Sequence, residues 1–176
     1  VAPGDTFTYR WSVPHKSSAG VWLYGDAAAD GRQRGAAGAF GVLLVRAAGE
    51  QEADEPPQPL RRAADSSTRF AALPPPPRRA DYVLAFHLLG NTPALLAGRE
   101  TRMSVRLLNA TLDPLTVTIQ GHRWERGDRY TDVEFLPPGA GATLSILGGS
   151  AEGGGGPGEW LITGRAGNTS VSGSIV

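Results

Sequence analysis

Strict alternation of apolar and polar residues, cut into short lengths by glycine and proline, is the feature that most limits what this sequence can fold into. Phe7, Tyr9, Trp11 and Val13 alternate with Thr6, Thr8, Arg10 and Ser12, and Pro14 ends the run. Neighbouring side chains of an extended chain point to opposite faces, so a period of two predicts a half-buried strand. Val21 to Tyr24, between Gly20 and Gly25, and Phe40 to Val45 form two further apolar runs. Tyr82, Leu84, Phe86 and Leu88 then alternate with Val83, Ala85 and His87. Thr101, Met103, Val105 and Leu107 alternate with Arg102, Ser104 and Arg106. Val117 with Ile119, Val133 with Phe135, Leu144 with Ile146, Trp160 with Ile162, and Val171 with Ile175 continue the series. Gly98, Asn109, Asp113-Pro114, Pro137-Pro138-Gly139 and the loop 148–158 separate them, and no stretch sustains a helical period. Many short strands with frequent turns predict an all-β sandwich or barrel.

One stretch breaks the pattern. Residues 49–80 carry Glu50, Glu52, Asp54 and Glu55, then Arg61 and Arg62, then four consecutive prolines, Pro74 to Pro77. Proline cannot donate to a ladder, so this segment reads as a linker, extended where the prolines run together. Phe70 and Leu73 could still anchor it to a surface. The chain therefore divides into an opening strand-rich piece, 1–48, a linker, 49–80, and a strand-rich domain, 81–176.

Composition removes several functions. Seventeen basic residues balance seventeen acidic ones, which argues against a general nucleic-acid binder. No apolar run is long enough to span a membrane, and no signal-peptide pattern opens the chain. It starts directly on a strand-like segment, as a mature product or a fragment would. Cysteine is absent, so disulfides and thiolate chemistry are excluded. Of the three histidines, His15 and His87 read as solvated, and His122 as a polar residue at a strand end, with metal ligation its alternative. Asp132, with Asp128, could hold a cation, but solvated carboxylates between strands are the plainer reading. The tryptophans Trp11, Trp22, Trp124 and Trp160 read as core, and Trp124 with Tyr130 as the one pair that could form an exposed platform. The glycines 153–156 lack the lysine and helix of a phosphate loop, and Ser150 lacks the final glycine of a nucleophile elbow. Asn109-Ala110-Thr111 and Asn168-Thr169-Ser170 are sequons.

The order of these segments resembles the cupredoxin domains of multicopper oxidases, the ceruloplasmin-like ferroxidases especially. Arg106-Leu107-Leu108-Asn109-Ala110, Gly121-His122-Arg123-Trp124, Asp132 to Gly139 and Gly158-Glu159-Trp160-Leu161-Ile162 stand where such domains have "RLLNAT", "GHxW", an Asp-strand-Pro-Gly turn and "GxWLxHCH". Tyr9 to Pro14, Val21 to Tyr24 and Gly38 to Val45 are similar to "YRWxVP", "WLYHSH" and "GLxGxLIV", which close another such domain. The resemblance covers residues 1–46 and 82–176. It implies a cupredoxin-like Greek-key β-sandwich, one near-complete domain preceded by the C-terminal half of another, in a secreted or extracytoplasmic protein.

The copper ligands of that family are replaced. On this alignment the histidine-rich strand has Leu115, Thr118 and Gln120, leaving only His122. The "HCH" positions are Thr163, Gly164 and Arg165, and the "HSH" segment is Gly25, Asp26 and Ala27. A type 1 centre needs a cysteine, and a trinuclear cluster needs more imidazoles than three. His122 and Asp132 are the only residues at family positions that could still meet a metal. No catalytic or cofactor-binding residue is expected.

Three functions fit these residues. The first is a structural, copper-free portion of a larger multicopper-oxidase-like protein or assembly, with the remaining cupredoxin domains, or a partner chain, as its partners. The second is part of a copper-dependent oxidase, of ferroxidase type, whose metal sites lie in other domains or chains. The third is an extracellular glycan- or protein-binding module. The opening segment is expected to take its missing strands from elsewhere, so that residues 1–176 alone are poorly soluble or oligomeric; packing of these strands onto the second sandwich is the alternative.

Overall fold

A computed structural model of the chain describes residues 2, 4–13, 15, 18–26, 30–50, 78–87, 95, 97, 100–149, 153, 155, 156 and 158–175. The linker 51–77, with its prolines and its Phe70 and Leu73, lies outside the described residues, as do Leu88 and Ala27. The strands are β1 (Gly20–Gly25), β2 (Phe40–Val45), β3 (Arg79–Phe86), β4 (Arg102–Asn109), β5 (Leu115–Ile119), β6 (Trp124–Arg126), β7 (Arg129–Thr131), β8 (Val133–Leu136), β9 (Gly141–Leu147), β10 (Trp160–Ala166) and β11 (Thr169–Ile175). One short helix, α1 (Gly31–Ala36), joins β1 to β2. The alternation did not announce it, because six residues are too few to establish a helical period.

Two sheets form the sandwich. In the first, β4 is central, parallel to β3 and antiparallel to β9, so Val105 lies beside both Tyr82 and Leu144. The second runs β11-β10-β5-β8, antiparallel throughout. Leu84, Phe86, Val105, Leu107 and Ile146 meet Val117, Ile119, Leu136 and Ile162 between them. Each such side chain contributes roughly 1.5–3 kcal/mol of hydrophobic stabilisation when fully buried. The all-β expectation holds, and the architecture is a cupredoxin-like sandwich.

Two apolar rows, and Trp22 besides, behave differently from the sequence reading. Phe7, Tyr9, Trp11 and Val13 are exposed, and residues 5–13 run without a strand partner among the described residues. Trp11 and Trp22 are therefore surface residues rather than core, whereas Trp124 is fully buried and Trp160 packs partly buried against the core. β8 is inverted: Val133 and Phe135 face outward while Glu134 and Leu136 are buried. Leu136 sits opposite Leu115, a core residue, and that register fixes the face.

The β1–β2 hairpin lies against β4 and β9. Val21 is buried there, and a Cβ on Gly141 would come within 2.6 Å of its Cγ1. Beside this contact Arg106, placed by the alternation among polar positions, is almost wholly buried. Its Nε donates to Asp81 Oδ1 at 2.8 Å, and its Nη2 donates to Glu50. Arg46 Nη1 reaches Asp81 Oδ2 at 2.7 Å, and Glu50 Oε2 accepts from the Ala47 amide at 2.9 Å. Burial opposes the charge on Arg106, but the bonds to Asp81 and Glu50 outweigh it and raise its pKa above the usual guanidinium value. Burial likewise pushes Glu50 up, but the Ala47 amide and Arg106 hold it below the ordinary carboxylate value.

Candidate functional site

The positions that carry copper ligands in the resembled family fall on β5 and β10. Period two sends Thr116, Thr118 and Gln120 to the outer face and Leu115, Val117 and Ile119 to the core. On β10, Thr163 and Arg165 point outward and Gly164 inward. The ladder sets Thr163 opposite Thr118 and Arg165 opposite Thr116. Thr118 and Thr163, with Gln120 to one side of the pair and Arg165 to the other, thus share one outer face, which Val133, Phe135 and Leu161 extend with exposed apolar area. Leu115 is not on this face. A Cβ on Gly164 would meet the Phe86 ring at 2.5 Å, so the core has closed over the position where the family carries a cysteine. Gly25 and Asp26 stand exposed at the end of β1, in the hairpin that packs on the other sheet.

These donors do not fit a copper centre. Threonine hydroxyls are poor copper ligands, and the Arg165 cation disfavours a second positive charge nearby. Among the described residues no group of three or more His, Asp or Glu side chains could hold a metal ion. Asp128 and Asp132 are both exposed; Asp128 Oδ1 lies 3.9 Å from Arg129 Nε.

His122 is the one histidine at a family ligand position, and it stands just past the end of β5 as a polar residue, covered rather than open to solvent. It is only 3% exposed. Its Nδ1 lies 2.9 Å from the Gln120 carbonyl, which fixes that nitrogen as the protonated one in the neutral ring. Trp160 meets the ring edge-on, with centroids 6.0 Å apart. The glycine-rich loop closes over both: Trp160 Nε1 donates to the Gly156 carbonyl at 2.8 Å, and the Arg123 amide donates to Gly153 at 2.8 Å. A Cβ on Gly155 would strike Trp160 at 2.6 Å, which is why a run of glycines suits this loop. His87 is half-buried rather than solvated, edge-on to Phe40 at 5.6 Å. His15 is exposed.

Burial depresses the pKa of His122, and the Gln120 carbonyl bond only partly offsets this. A depressed folded value means that the unfolded chain binds the proton more readily. Stability is then complete above the ordinary histidine value of 6.5 and is lost as pH falls through the folded one. Thermal unfolding followed from pH about 7.5 to about 5.5 should show the parent Tm falling by a few degrees, and the slope should flatten in His122→Gln. An equal slope in both proteins would remove His122 as its source.

Sequence reasoning missed Glu134. It is 3% exposed, accepts from Trp124 Nε1 at 3.3 Å, and pairs with Arg126 Nη2 at 2.9 Å. It lies beneath an open hollow of about 400 Å³ lined by Arg126, Arg129, Tyr130, Val133 and Phe135. Trp124 is inside the core, as read from the sequence, so it forms no exposed platform with Tyr130. The Trp124 indole needed an acceptor, and that was the one sequence signal pointing to an inward carboxylate on β8.

Solved structures with this architecture include multicopper oxidases. One multicopper oxidase matches 100% of this chain and 62% of its own, at a TM-score of 0.62 and 14% identity. The blue copper oxidase of Nitrosomonas europaea matches 99% of this chain and 60% of its own, at 0.58 and 16%. Fet3p, a multicopper oxidase that functions in iron import, matches 90% of this chain and 34% of its own, at 0.55 and 10%. The chain spans less than two-thirds of each of these structures. At such identities the likeness is one of fold: the chain is built as multicopper-oxidase cupredoxin domains are. No protein-family model matches the sequence, and no curated protein does.

Proposed function

We propose that this chain is a structural, copper-free portion of a larger multicopper-oxidase-like protein or assembly. The observation that carries the reading is the Thr118–Thr163 pair with Arg165 beside it, on the face where the resembled domains place histidines. The exposed apolar residues Val133, Phe135 and Leu161 on the same face support docking against the remaining cupredoxin domains, of the same protein or of a partner chain. The residues 1–48 are proposed as the closing part of one such domain, 49–80 as the linker, whose last two residues Arg79 and Ala80 already pair with β4, and 81–176 as the next domain. An extracytoplasmic setting follows from the resemblance. Any copper of the assembly would then sit in other domains or chains, where an oxidase activity would also reside.

The purified chain should be incubated with Cu(II), freed of excess metal and analysed for copper and visible absorption. The expected result is far less than one copper per chain and no blue band. One tightly held copper per chain would overturn the proposal.

A further inference from the structure

We propose that residues 6–13 form an antiparallel strand pair with the same residues of a second copy of this chain, centred on Tyr9. Phe7, Tyr9 and Trp11 are 60%, 68% and 57% exposed, a contiguous aromatic row on a monomer surface that ordinarily hides such area. The rings already order one another. Phe7 meets Tyr9 edge-on at 4.9 Å, Tyr9 lies nearly parallel to Trp11 at 6.1 Å, and Trp11 leans on Tyr24 of β1 at 5.5 Å. The segment is thereby held in place along the hairpin. Every residue from Thr6 to Val13 is exposed, and among the described residues no backbone bond joins this stretch to another strand. It offers an apolar face and two unpaired edges together, the combination that invites strand addition.

The sequence of the stretch selects a second copy as the occupant. A two-fold axis through Tyr9 sets Phe7 opposite Trp11, Tyr9 opposite Tyr9 and Thr8 opposite Arg10. Odd positions then meet odd positions on one face, giving aromatic cross-strand pairs at each step. Arg10 is the only charge in residues 6–13, and in this register it falls across a threonine rather than on itself, so no like charges oppose. Pro14 ends the pairing, since it has no amide hydrogen to offer. This inference uses none of the β5 or β10 residues, so it does not rest on the copper-free reading; it gives residues 6–13 a second copy as their partner, where the domain reading of residues 1–48 would give them further strands of the same protein.

The absence of cysteine from the chain supplies the test. In the full chain, Tyr9→Cys places two thiols directly opposite, at the roughly 4.5–5.5 Å Cα separation of an antiparallel pair, which a disulfide can bridge. Arg10→Cys places them two residues out of register, roughly 7 Å further along the strand and out of reach. Mild oxidation should convert the Tyr9→Cys protein to covalent dimer and leave the Arg10→Cys protein monomeric on a non-reducing gel. Light scattering of the unmodified chain should report a dimer, and Trp11→Arg should abolish it while keeping the circular dichroism of the sandwich. A monomer at all concentrations, equal cross-linking of the two cysteine variants, or a dimer untouched by Trp11→Arg would each overturn the proposal.

Discussion

Asn109→Asp is expected to unfold the sandwich at neutral pH. Asn109 is completely buried at the end of β4, and its amide is used on every side. Its Nδ2 donates to the carbonyls of Asp113 and Leu136, both at 2.9 Å, and its Oδ1 accepts from the Thr111 amide at 2.9 Å and the Thr111 hydroxyl at 2.7 Å. One side chain therefore ties the β4–β5 turn to β8. Aspartate has the same shape but brings an oxygen to face two carbonyl oxygens. Burying an unpaired carboxylate costs several kcal/mol, against a total stability of about 5–15 kcal/mol for a domain. The variant can escape by keeping its proton, which raises its folded pKa above the unfolded value of about 3.9. Stability is then present below that value and lost as pH rises, so the gap in Tm between parent and variant should be widest near pH 7 and narrow near pH 4. A variant melting within a degree or two of the parent at neutral pH would show that the corner does not depend on Asn109. The same burial bears on glycosylation: the Asn109 amide has no hydrogen left to give, whereas Asn168 stands exposed in the β10–β11 turn.

The fold was legible where alternation and register agree. On β3, β4, β5 and β9 the apolar row is the buried row, because each strand has a hydrogen-bonded neighbour and a core beneath it. Residues 6–13 alternate as strictly, yet they are exposed. Alternation reports that a face is built to be covered; it says nothing of what covers it. On β8 the difficulty is parity. Val133 and Phe135 and the pair Glu134 and Leu136 are both consistent with a period of two, and only the pairing of Leu136 with Leu115 decides between them.

The candidate site was legible in part. The loss of histidine and cysteine could be counted in the sequence, and the outward placement of Thr118 and Gln120 followed from the strand period. The same period turns Leu115 inward with Val117 and Ile119, and Gly164 with Ile162; what needed the ladder is that Thr163 stands opposite Thr118. The burial of His122 was not legible, because a histidine at a strand end is open or closed according to the loop above it. Here that loop is glycine-rich and folds down onto Trp160. Arg106 and Glu134 were missed for different reasons: the β1–β2 hairpin lies over the outward side of Arg106, whereas β8 turns Glu134, with Leu136, to its inner side.

Arg106→Ala is expected to destabilise the protein by about 3–5 kcal/mol, the usual result of removing one partner from a buried ion pair. The loss exceeds that of a surface bridge because Asp81, itself largely covered, would face only Arg46 and water. The network also joins separate elements. Arg46 and Glu50 follow β2, Asp81 lies on β3 and Arg106 on β4. Their bonds and the buried Val21 therefore hold the hairpin against the sandwich. Hydrogen exchange should consequently quicken first at the amides of β1 and β2, with β5 and β10 following only at global unfolding. Replacing the charges together, as Arg106→Met and Arg46→Met with Asp81→Leu and Glu50→Leu, should recover much of the loss, since apolar packing can substitute for a buried ion network where it leaves no charge unpaired. If the single variant melted like the parent, or if exchange rose equally in both layers, the network would be a surface ornament and the hairpin would be held by Val21 alone.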